Sequence, residues 1–253
     1  MGLKNKVAVV TGGSQGIGEG ISVRLAQAGA VVVILNRTEA AGKRVAAKIN
    51  ADGGSAKSIA VDVTDYAATK AAVDAIVSDC GTVDILVNNV GTDKMQPFVD
   101  TDEALWDRLI AINYKSFLIC SRLCAPLMIA QKSGKIITIS SDSARLGQMN
   151  EVLYAGVKGA LVASSKSLAR ELARYNINVN CVSPGPTETP LIDEIRKTEK
   201  GAQIVDGTAK RIPFRRLGDP TEVGDLVVFF ASEESKYITG QVLSISGGLT
   251  MIG

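Results

Sequence analysis

Short apolar segments recur at a nearly constant spacing through the first third of the chain. These segments end at Thr11, Asn36, Asp62 and Asn88, so successive ends lie 25 or 26 residues apart. Each interval is long enough for one amphipathic crossover helix and the next strand. Strands that are almost wholly apolar are typical of parallel sheets covered by helices on both faces. The spacing therefore predicts an α/β fold built on a parallel sheet.

The same alternation continues through the rest of the chain and predicts one domain, residues 1–253. The predicted strands are 6–10, 30–35, 58–61, 83–87, 135–139, 178–182 and 241–245. The predicted helices are 17–28, 39–50, 66–79, 154–175 and 221–231, with one or more further helices within 102–131. Residues 187–214 are polar, glycine-punctuated and weakly periodic. They predict either a substrate flap at about 187–217 or an ordinary surface excursion.

Histidine is absent from the 253 residues, which excludes Ser-His-Asp and Cys-His catalysis and every metal site that uses histidine. The net charge is only +2, so nothing in it favours nucleic acid or an anionic membrane as a partner. The 4 cysteines lack C-x-x-C spacing, and Cys120 and Cys124 are expected in the apolar core. With no basic-then-apolar leader and no apolar run of about 20 residues, we expect a soluble cytoplasmic protein without a metal.

A glycine-rich turn follows the first predicted strand. Gly12, Gly16 and Gly18 come after Thr11 and open the first predicted helix. Glycines let the backbone turn tightly and approach a pyrophosphate, and the helix N-terminus adds free N–H groups and the positive end of the helix dipole. The position between a strand and a helix indicates a dinucleotide site. A tight turn without a ligand is the alternative.

The ends of five further strands carry polar or turn-forming residues. They are Asn36 and Arg37, Asp62 and Val63, Asn88 to Gly91, Ser140 and Ser141, and Pro184 and Gly185. Open α/β sheets bind ligands outside the carboxyl ends of their strands. Each of these residues alone is also typical of an ordinary loop, but five such ends along one edge favour a single ligand site.

Tyr154 and Lys158 are four residues apart, so they share one face of a predicted helix. An ammonium beside a phenol favours the phenolate and lowers the pKa of the tyrosine. A tyrosine tuned in this way is a general acid or base, and without histidine it is the leading candidate in the chain. Ser141 would donate a hydrogen bond to a substrate oxygen. The alternative for a lone tyrosine–lysine pair is a solvated helix face.

Taken together, these motifs resemble the short-chain dehydrogenase/reductase family in order and spacing over the whole chain. The residues that carry the resemblance are the glycine turn, Asn88-Asn89-x-Gly91, Asn113, Ser141, Tyr154-x-x-x-Lys158 and Pro184-Gly185. The resemblance implies a single Rossmann-type domain, with a doubly wound sheet of seven parallel strands and helices on both faces. It also implies NAD(P)(H)-dependent interconversion of a secondary alcohol and a ketone by hydride transfer.

The resemblance implies roles for individual residues as well. Tyr154 would transfer the proton, Ser141 would orient the substrate oxygen, and Lys158 would tune Tyr154 and hold the nicotinamide ribose. Asn113 would position a water that leads from Lys158 to solvent. The expected cofactor-binding residues are Gly12, Ser14, Gln15, Gly16, Ile17, Gly18, Asn36, Arg37, Asp62, Val63, Asn88, Val90, Gly91, Tyr154, Lys158, Pro184, Gly185, Thr187 and Thr189.

Two departures from the family pattern bear on the cofactor. Val90 stands where the family usually has alanine, and its extra methyl groups would crowd the cofactor slightly. At the end of the second strand, Asn36 and Arg37 replace the acidic residue that binds the ribose 2′-hydroxyl of NAD. Because an arginine pairs well with a phosphate, we expect NADP(H) to be favoured over NAD(H).

The sequence leaves the substrate open, and it leaves one non-catalytic alternative. Segments 141–147, 184–187 and 240–251 resemble those of family members that act on a cyclic hydroxyacyl thioester, and a 3-oxoacyl thioester is a further candidate. A general ketone reductase is the alternative, and a non-catalytic nucleotide-sensing or scaffold protein is the alternative of another class. Arg145 and the cations within 196–216 would either meet the phosphates of a thioester handle or form a solvated surface.

The family resemblance also implies a homotetramer. Small residues on the predicted helix 154–175 would let a second helix approach closely, and Leu161, Leu168 and Leu172 are expected to add apolar area to that interface. Helices from two subunits would pair there, with the C-terminal segment at a second interface.

Overall fold

The computed structural model of the chain describes residues 2–252. Its centre is one sheet of seven parallel strands in the order β3-β2-β1-β4-β5-β6-β7. The strands are β1 Val7–Thr11, β2 Val31–Asn36, β3 Ser55–Ala60, β4 Ile85–Asn88, β5 Gly134–Ile139, β6 Ile177–Pro184 and β7 Val242–Ile245. The predicted seven-stranded parallel sheet is confirmed.

Helices connect the strands and flank the sheet. They are α1 Gly16–Gln27, α2 Glu39–Ala51, α3 Tyr66–Cys80, α4 Glu103–Ile110, α5 Ser116–Gln131, α6 Ser143–Leu146, α7 Val152–Leu172, α8 Pro190–Arg196, α9 Glu199–Arg211 and α10 Pro220–Ala231. A π-helical turn, Ala111–Lys115, joins α4 to α5. Within residues 2–252, no helix has both the length and the apolar character needed to cross a bilayer.

The strand side chains alternate between two apolar clusters, one on each face of the sheet. On one face, Val10 packs in a cluster with Ile21 of α1. On the other face, Val9 packs in a cluster with Ile76 of α3 and Met128 of α5. The strands are therefore apolar on both sides, which is why they read as nearly continuous apolar runs in the sequence.

Two cysteines take part in this packing. Cys120 and Cys124 lie in the cluster beneath α3 and α5 and are buried, so their predicted place in the core is confirmed. Burial raises the pKa of the Cys120 thiol to about 12. The thiolate is the reactive form of cysteine, so this side chain is chemically inert at neutral pH.

The strand order reverses at β1, which pairs with β2 on one side and with β4 on the other. Successive strands then lead away from this point in opposite directions. A crevice opens at such a reversal, outside the carboxyl ends of the strands, and open α/β sheets bind their ligands there. The predicted site residues follow these strand ends, so the topology brings them towards one crevice.

The segment predicted as a flap or a surface excursion folds into α8 and α9. Pro190 occupies the first turn of α8, where its fixed φ suits the helix. The Thr198 hydroxyl accepts a hydrogen bond from the Gly201 N–H and caps α9. Because α8 has only 7 residues and α9 buries only Gly201 and Val205, their periodicity is too weak to be read from the sequence.

Candidate active site

A cavity of about 510 Å³ lies in the crevice at the carboxyl edge of the sheet. It is walled by the turn between β1 and α1, by the ends of β2 to β6, and by the first residues of α7 and α8. The predicted site residues that line it are Gly12, Ser14, Gln15, Gly16, Ile17, Gly18, Asn36, Arg37, Asp62, Val63, Val90, Gly91, Ser141, Tyr154, Lys158, Pro184, Gly185 and Thr189. One cavity therefore gathers most of the residues singled out from the sequence.

The glycine turn forms a tight cradle. Gly12 and Gly16 have φ angles of 64° and 50°, a region that other residues rarely adopt. A Cβ on Gly18 would lie 2.1 Å from the Gly12 carbonyl oxygen, so only glycine permits this approach of α1 to the turn. The Gln15 side chain makes no capping hydrogen bond to the first turn of α1. The cradle and the uncapped helix end both fit the pyrophosphate of a dinucleotide.

Thr11 and Asn89 fasten this turn to the end of β4. The Thr11 hydroxyl oxygen accepts hydrogen bonds from the backbone N–H groups of Asn89 and Val90, at 2.9 and 3.1 Å. The Asn89 side-chain amide donates to the carbonyl oxygens of Thr11 and Gly12, at 3.0 and 3.2 Å. Asn89 is absent from the predicted cofactor set, and the structure makes it the brace of the cradle.

Two residues of the predicted cofactor set, Asn88 and Thr187, do not line the cavity. Their side chains form hydrogen bonds with neighbouring residues instead. Asn88 is buried, and its side-chain amide donates to the Ser121 hydroxyl at 3.2 Å. The Thr187 hydroxyl donates to the Gly185 carbonyl oxygen at 2.9 Å. Their side chains therefore fix the ends of β4 and β6 in place.

Asn113 lies in the π-helical turn and is almost wholly buried. Its side chain accepts from the Thr92 N–H at 3.1 Å and donates to the carbonyl oxygens of Thr92 and Leu109, at 2.9 and 3.0 Å. A Cβ on Gly91 would lie 2.9 Å from both Asn113 Oδ1 and Lys158 Nζ, so these residues are close neighbours. Asn113 thus holds the loop after β4 beside Lys158, while its predicted part in a water path stays a prediction.

The end of β2 directs Asn36 inwards and leaves Arg37 exposed. The Asn36 amide donates to the Thr38 carbonyl oxygen at 2.5 Å, and a Cβ on Gly42 of α2 would lie 2.3 Å from Asn36 Oδ1. Arg37 lines the cavity and makes no hydrogen bond or ion pair with the part of the chain that the structure describes. Hydrogen bonding within the next loop and, less strongly, the charge of Arg37 hold the pKa of Asp62 below its usual range.

A second cation, Arg44 of α2, reaches the glycine turn. Its guanidinium donates to the Ser14 carbonyl oxygen at 3.0 Å and forms an ion pair with Glu19 of α1 at 2.7 Å. Hydrogen bonding to Glu19 raises the pKa of Arg44. In the sequence Arg44 is one of several basic residues on a polar helix face, so no pattern distinguishes it, and only the packing of α2 beside α1 reveals the contact.

Ser141, Tyr154 and Lys158 meet in the cavity. Ser141 follows β5, and the other two project from the first turns of α7. Lys158 is buried; its ammonium donates to the Ile139 carbonyl oxygen at 3.0 Å and lies 5.6 Å from the centroid of the Tyr154 ring. Burial lowers the pKa of Lys158 to about 8. The shared helix face predicted from the spacing of Tyr154 and Lys158 is therefore present.

The pKa of Tyr154 shifts in the direction opposite to the one expected from Lys158. Burial raises this pKa to about 12, hydrogen bonding to Ser141 acts to lower it, and the charges of Asp93 and Glu151 add to the rise. The cost of forming a phenolate in a poorly hydrated site therefore sets the direction of the shift. Tyr154 therefore keeps its proton at neutral pH.

Four of the cations considered for a thioester handle bind other groups of the chain. Arg145 donates to the Ser244 hydroxyl at 2.7 Å and to the Ile252 carbonyl oxygen. In the segment 187–217, ion pairs join Arg196 to Glu188, Lys197 to Glu194 and Arg216 to Glu222. This pairing favours the interpretation of those cations as a solvated surface.

The fold and the site define a class of protein, and comparison with known proteins agrees with it. A family model described as enoyl-(acyl carrier protein) reductase matches residues 12–250. The chain belongs to the short-chain dehydrogenase/reductase family and is an oxidoreductase of the alcohol dehydrogenase and ketoreductase type.

Individual relatives span the whole chain. It is 38% identical to the oxidoreductase UcpA of Salmonella typhimurium, over 98% of this chain and 96% of that protein. It is 34% identical to the 3-oxoacyl-(acyl-carrier-protein) reductase FabG of Thermotoga maritima, over 99% and 100% of the two chains. A crystal structure described as a short-chain alcohol dehydrogenase from Sinorhizobium meliloti 1021 superposes with a TM-score of 0.92 at 33% identity, covering 98% of this chain and 97% of that one.

Proposed function

We propose that this protein interconverts a secondary alcohol and a ketone, with NADP(H) as the preferred cofactor. The observation that carries the proposal is the convergence of Ser141, Tyr154 and Lys158 with the glycine turn in one cavity. A nicotinamide nucleotide bound at that turn would supply or accept the hydride. The left-handed conformations of Gly12 and Gly16 allow the close backbone approach that its pyrophosphate needs.

The side chains of the cavity supply the proton and orient the substrate. The neutral Tyr154 phenol donates its proton to the substrate oxygen as the ketone is reduced. The Ser141 hydroxyl donates a hydrogen bond to the same oxygen and fixes its position. Lys158, anchored on the Ile139 carbonyl oxygen, places positive charge beside the phenolate that remains. In the oxidation direction the phenolate accepts the proton.

The proposed preference for NADP(H) is supported by charge at the end of β2. Arg37 is exposed on the cavity wall and forms no hydrogen bond or ion pair with residues 2–252. Asn36 carries no negative charge that would repel a 2′-phosphate. Arg44 adds positive charge at Ser14, although its pairing with Glu19 offsets part of that charge. Arg37 is therefore the principal determinant in this proposal.

A ketone with a mainly apolar body is the first candidate substrate, and a 3-oxoacyl or cyclic hydroxyacyl thioester is the second. Ile112 and Leu191 form part of the apolar wall of the cavity. The thioester is supported by the similarity to the Thermotoga maritima protein, whose name states a 3-oxoacyl substrate. Arg196, Lys197 and Arg216 are paired with carboxylates and are less available for a phosphate-bearing handle, which counts against the thioester.

The proposal also includes the assembly and the location of the protein. It is a homotetramer that acts in the cytoplasm on a small molecule, and it has no nucleic acid or membrane partner. The 4 unpaired cysteines are typical of a reducing compartment. The alternative of a nucleotide-sensing or scaffold protein lacks support, because the three catalytic candidates are present and lie in the same cavity.

Matched substrate panels test this function. The purified protein would be assayed with NADPH and with NADH against cyclic and open-chain ketones, each beside the 3-oxoacyl thioester of equal chain length. We expect ketone reduction, with NADPH the better cofactor. A far higher kcat/KM for the thioesters would establish the second candidate, because binding energy from the remote handle would be used at the reacting carbon. Cofactor binding without any turnover would favour the non-catalytic alternative.

A further inference from the structure

The Ser141 hydroxyl is held by the backbone of the turn that follows β5. Its oxygen accepts a hydrogen bond from the Ser143 N–H at 3.2 Å, and α6 begins at Ser143. Because this bond occupies one side of the oxygen, the conformation of the turn sets the direction in which the hydroxyl can donate. Whatever fixes the turn therefore also fixes the hydroxyl that the proposed reaction uses.

Asp142, the residue next to Ser141, is buried and sends its carboxylate away from α6. An aspartate at the start of a helix usually accepts a hydrogen bond from the first helical turn, but no such bond forms here. Its Oδ1 instead accepts a hydrogen bond from the Ser244 hydroxyl of β7 at 2.6 Å. The Asp142 backbone N–H donates to the Pro184 carbonyl oxygen of β6 at 3.1 Å. Asp142 therefore links the turn after β5 to the next two strands of the sheet.

Arg145 of α6 binds the same serine. Its guanidinium donates to the Ser244 hydroxyl oxygen at 2.7 Å, so a guanidinium, a hydroxyl and a carboxylate form one continuous chain. The Arg145 backbone N–H also donates to the Asp142 carbonyl oxygen at 2.9 Å. Asp142 Oδ2 is buried and accepts no hydrogen bond from the described residues, so Ser244 is the only one of them that binds the carboxylate. Both ends of the turn are thus attached to one hydroxyl on β7.

This cluster lies behind the cavity wall and does not face the ligand space. Asp142, Arg145 and Ser244 are absent from the cavity lining, whereas Ser141 and Gly185 belong to it. A Cβ on Gly185 would lie 3.8 Å from Asp142 Oδ2, so the carboxylate is close to the inner side of that wall. The cluster can therefore act on a bound substrate only through the turn that carries Ser141.

We propose that Asp142 and Ser244 are positioning residues, which fix the direction of the Ser141 hydroxyl by tying its turn to β7. This inference rests on the proposed function and adds to it two residues outside the cavity. A helix as short as α6 is marginal without tertiary contacts, so the bonds to β7 hold the turn in one conformation. A small misplacement of a group that orients the substrate costs a large factor in rate.

The first test compares Asp142→Ala and Ser244→Ala with the control Ser235→Ala. Ser235 is a buried serine that donates to the Phe230 carbonyl oxygen at 3.0 Å and does not line the cavity. The assay is NADPH-dependent reduction of the ketone of the substrate panel that the wild type reduces best. We expect kcat to fall roughly tenfold or more in both cluster variants, with unchanged NADPH affinity. The control should keep wild-type kcat even where its thermal midpoint falls.

The second test repeats both substitutions in a Ser141→Ala background. If Asp142 and Ser244 act through the Ser141 hydroxyl, removing that hydroxyl leaves them nothing to position. We therefore expect each to lower kcat by less than about twofold in this background, whereas independent structural effects would add in full. A full tenfold loss there, or wild-type kcat in both single variants, would overturn the proposal.

Hydrogen exchange separates this result from a failure of the proposed function, because it needs no turnover. The Leu146 N–H donates to the Asp142 carbonyl oxygen at 3.1 Å within the turn. We expect peptides covering 141–147 to exchange faster in Asp142→Ala and Ser244→Ala than in the wild type and Ser235→Ala. If the wild type reduces no ketone, faster exchange would still support the tie between β7 and the Ser141 turn, and the proposed function alone would fail. Unchanged exchange would overturn the positioning role whatever the turnover.

Discussion

At the scale of single residues, the proposed chemistry depends on the phenol of Tyr154. A pKa of about 12 keeps its proton in place at neutral pH, and the chain has no histidine that could replace it. Tyr154→Phe preserves the ring and removes the proton, so we expect turnover to fall by roughly 10²-fold or more while NADPH still binds. Steady-state kinetics and a cofactor titration measure the two effects. Tyr175→Phe, beyond the end of α7, is the matched control, and wild-type turnover in Tyr154→Phe would identify a different proton donor.

Arg37 is the residue expected to decide between the two cofactors. It is exposed on the cavity wall, and loss of a charge-assisted contact costs about 1.5–3 kcal/mol. Arg37→Ala should therefore weaken NADPH binding by roughly 10- to 100-fold and leave NADH binding almost unchanged. Fluorescence titration of both cofactors checks this, with Lys43→Ala as a control because Lys43 lies on α2 outside the cavity lining. Equal losses for both cofactors, or a wild type that prefers NADH, would contradict the assignment.

Most of the cavity residues could be predicted because strand ends are visible in the sequence and parallel strands end at one edge. Side-chain partners across elements could not be predicted in the same way. Arg44 reaches Ser14 only because α2 packs beside α1, and one oxygen of the Glu151 carboxylate is left buried without a hydrogen bond only through the packing at the start of α7. The pKa of Tyr154 was predicted in the wrong direction because the spacing to Lys158 indicates a neighbouring charge, whereas the burial that raises this pKa is visible only in the structure.

At the scale of elements, the junction of β1 and α1 depends on Gly18. Gly18→Ala would place a Cβ 2.1 Å from the Gly12 carbonyl oxygen and force the turn away from the helix. We expect a thermal midpoint several degrees lower and loss of most of the stabilisation that NADPH gives the wild type. The control is Gly207→Ala in α9, where the new Cβ meets no atom within 4 Å and alanine favours the helix by up to about 1 kcal/mol. An undiminished NADPH effect in Gly18→Ala would show that the close approach is not needed for cofactor binding.

Elements with a strong apolar pattern could be predicted, and those without one could not. The central strand β1 is buried along its whole length, and its predicted and observed ranges overlap almost completely. The edge strand β3 is only partly buried and begins three residues before its predicted start. The π turn Ala111–Lys115 divides the segment 102–131, for which the sequence predicts one or more helices. The side chain of Asn113, within this turn, forms hydrogen bonds to the loop after β4. A local sequence pattern does not reveal contacts between segments so far apart, so the turn could not be predicted.

At the scale of the whole molecule, two surfaces of the protomer are suited to assembly. The outer face of α7 exposes Gly156 and Ala163, which would let a second helix approach closely. The edge strand β7 exposes Leu243, and Met251 near the C-terminus is also exposed. Leu161 and Leu172, which were expected to enlarge the helical interface, are instead buried within the protomer. That part of the expectation is wrong because these side chains lie on the face of α7 that covers the sheet.

Two different self-complementary surfaces generate a tetramer with twofold axes when each pairs with its own copy. We therefore expect light scattering to give a mass four times that of the 26.5 kDa chain. Ala163→Arg places a charge where two α7 helices would meet and should reduce the mass while leaving the protomer folded, because Ala163 is exposed there. Ala67→Arg on the exposed face of α3 is the control and should remain tetrameric. A wild type that stays monomeric at micromolar concentration would contradict the predicted pairing of α7 helices. The small residues of α7 would then face solvent in the working enzyme.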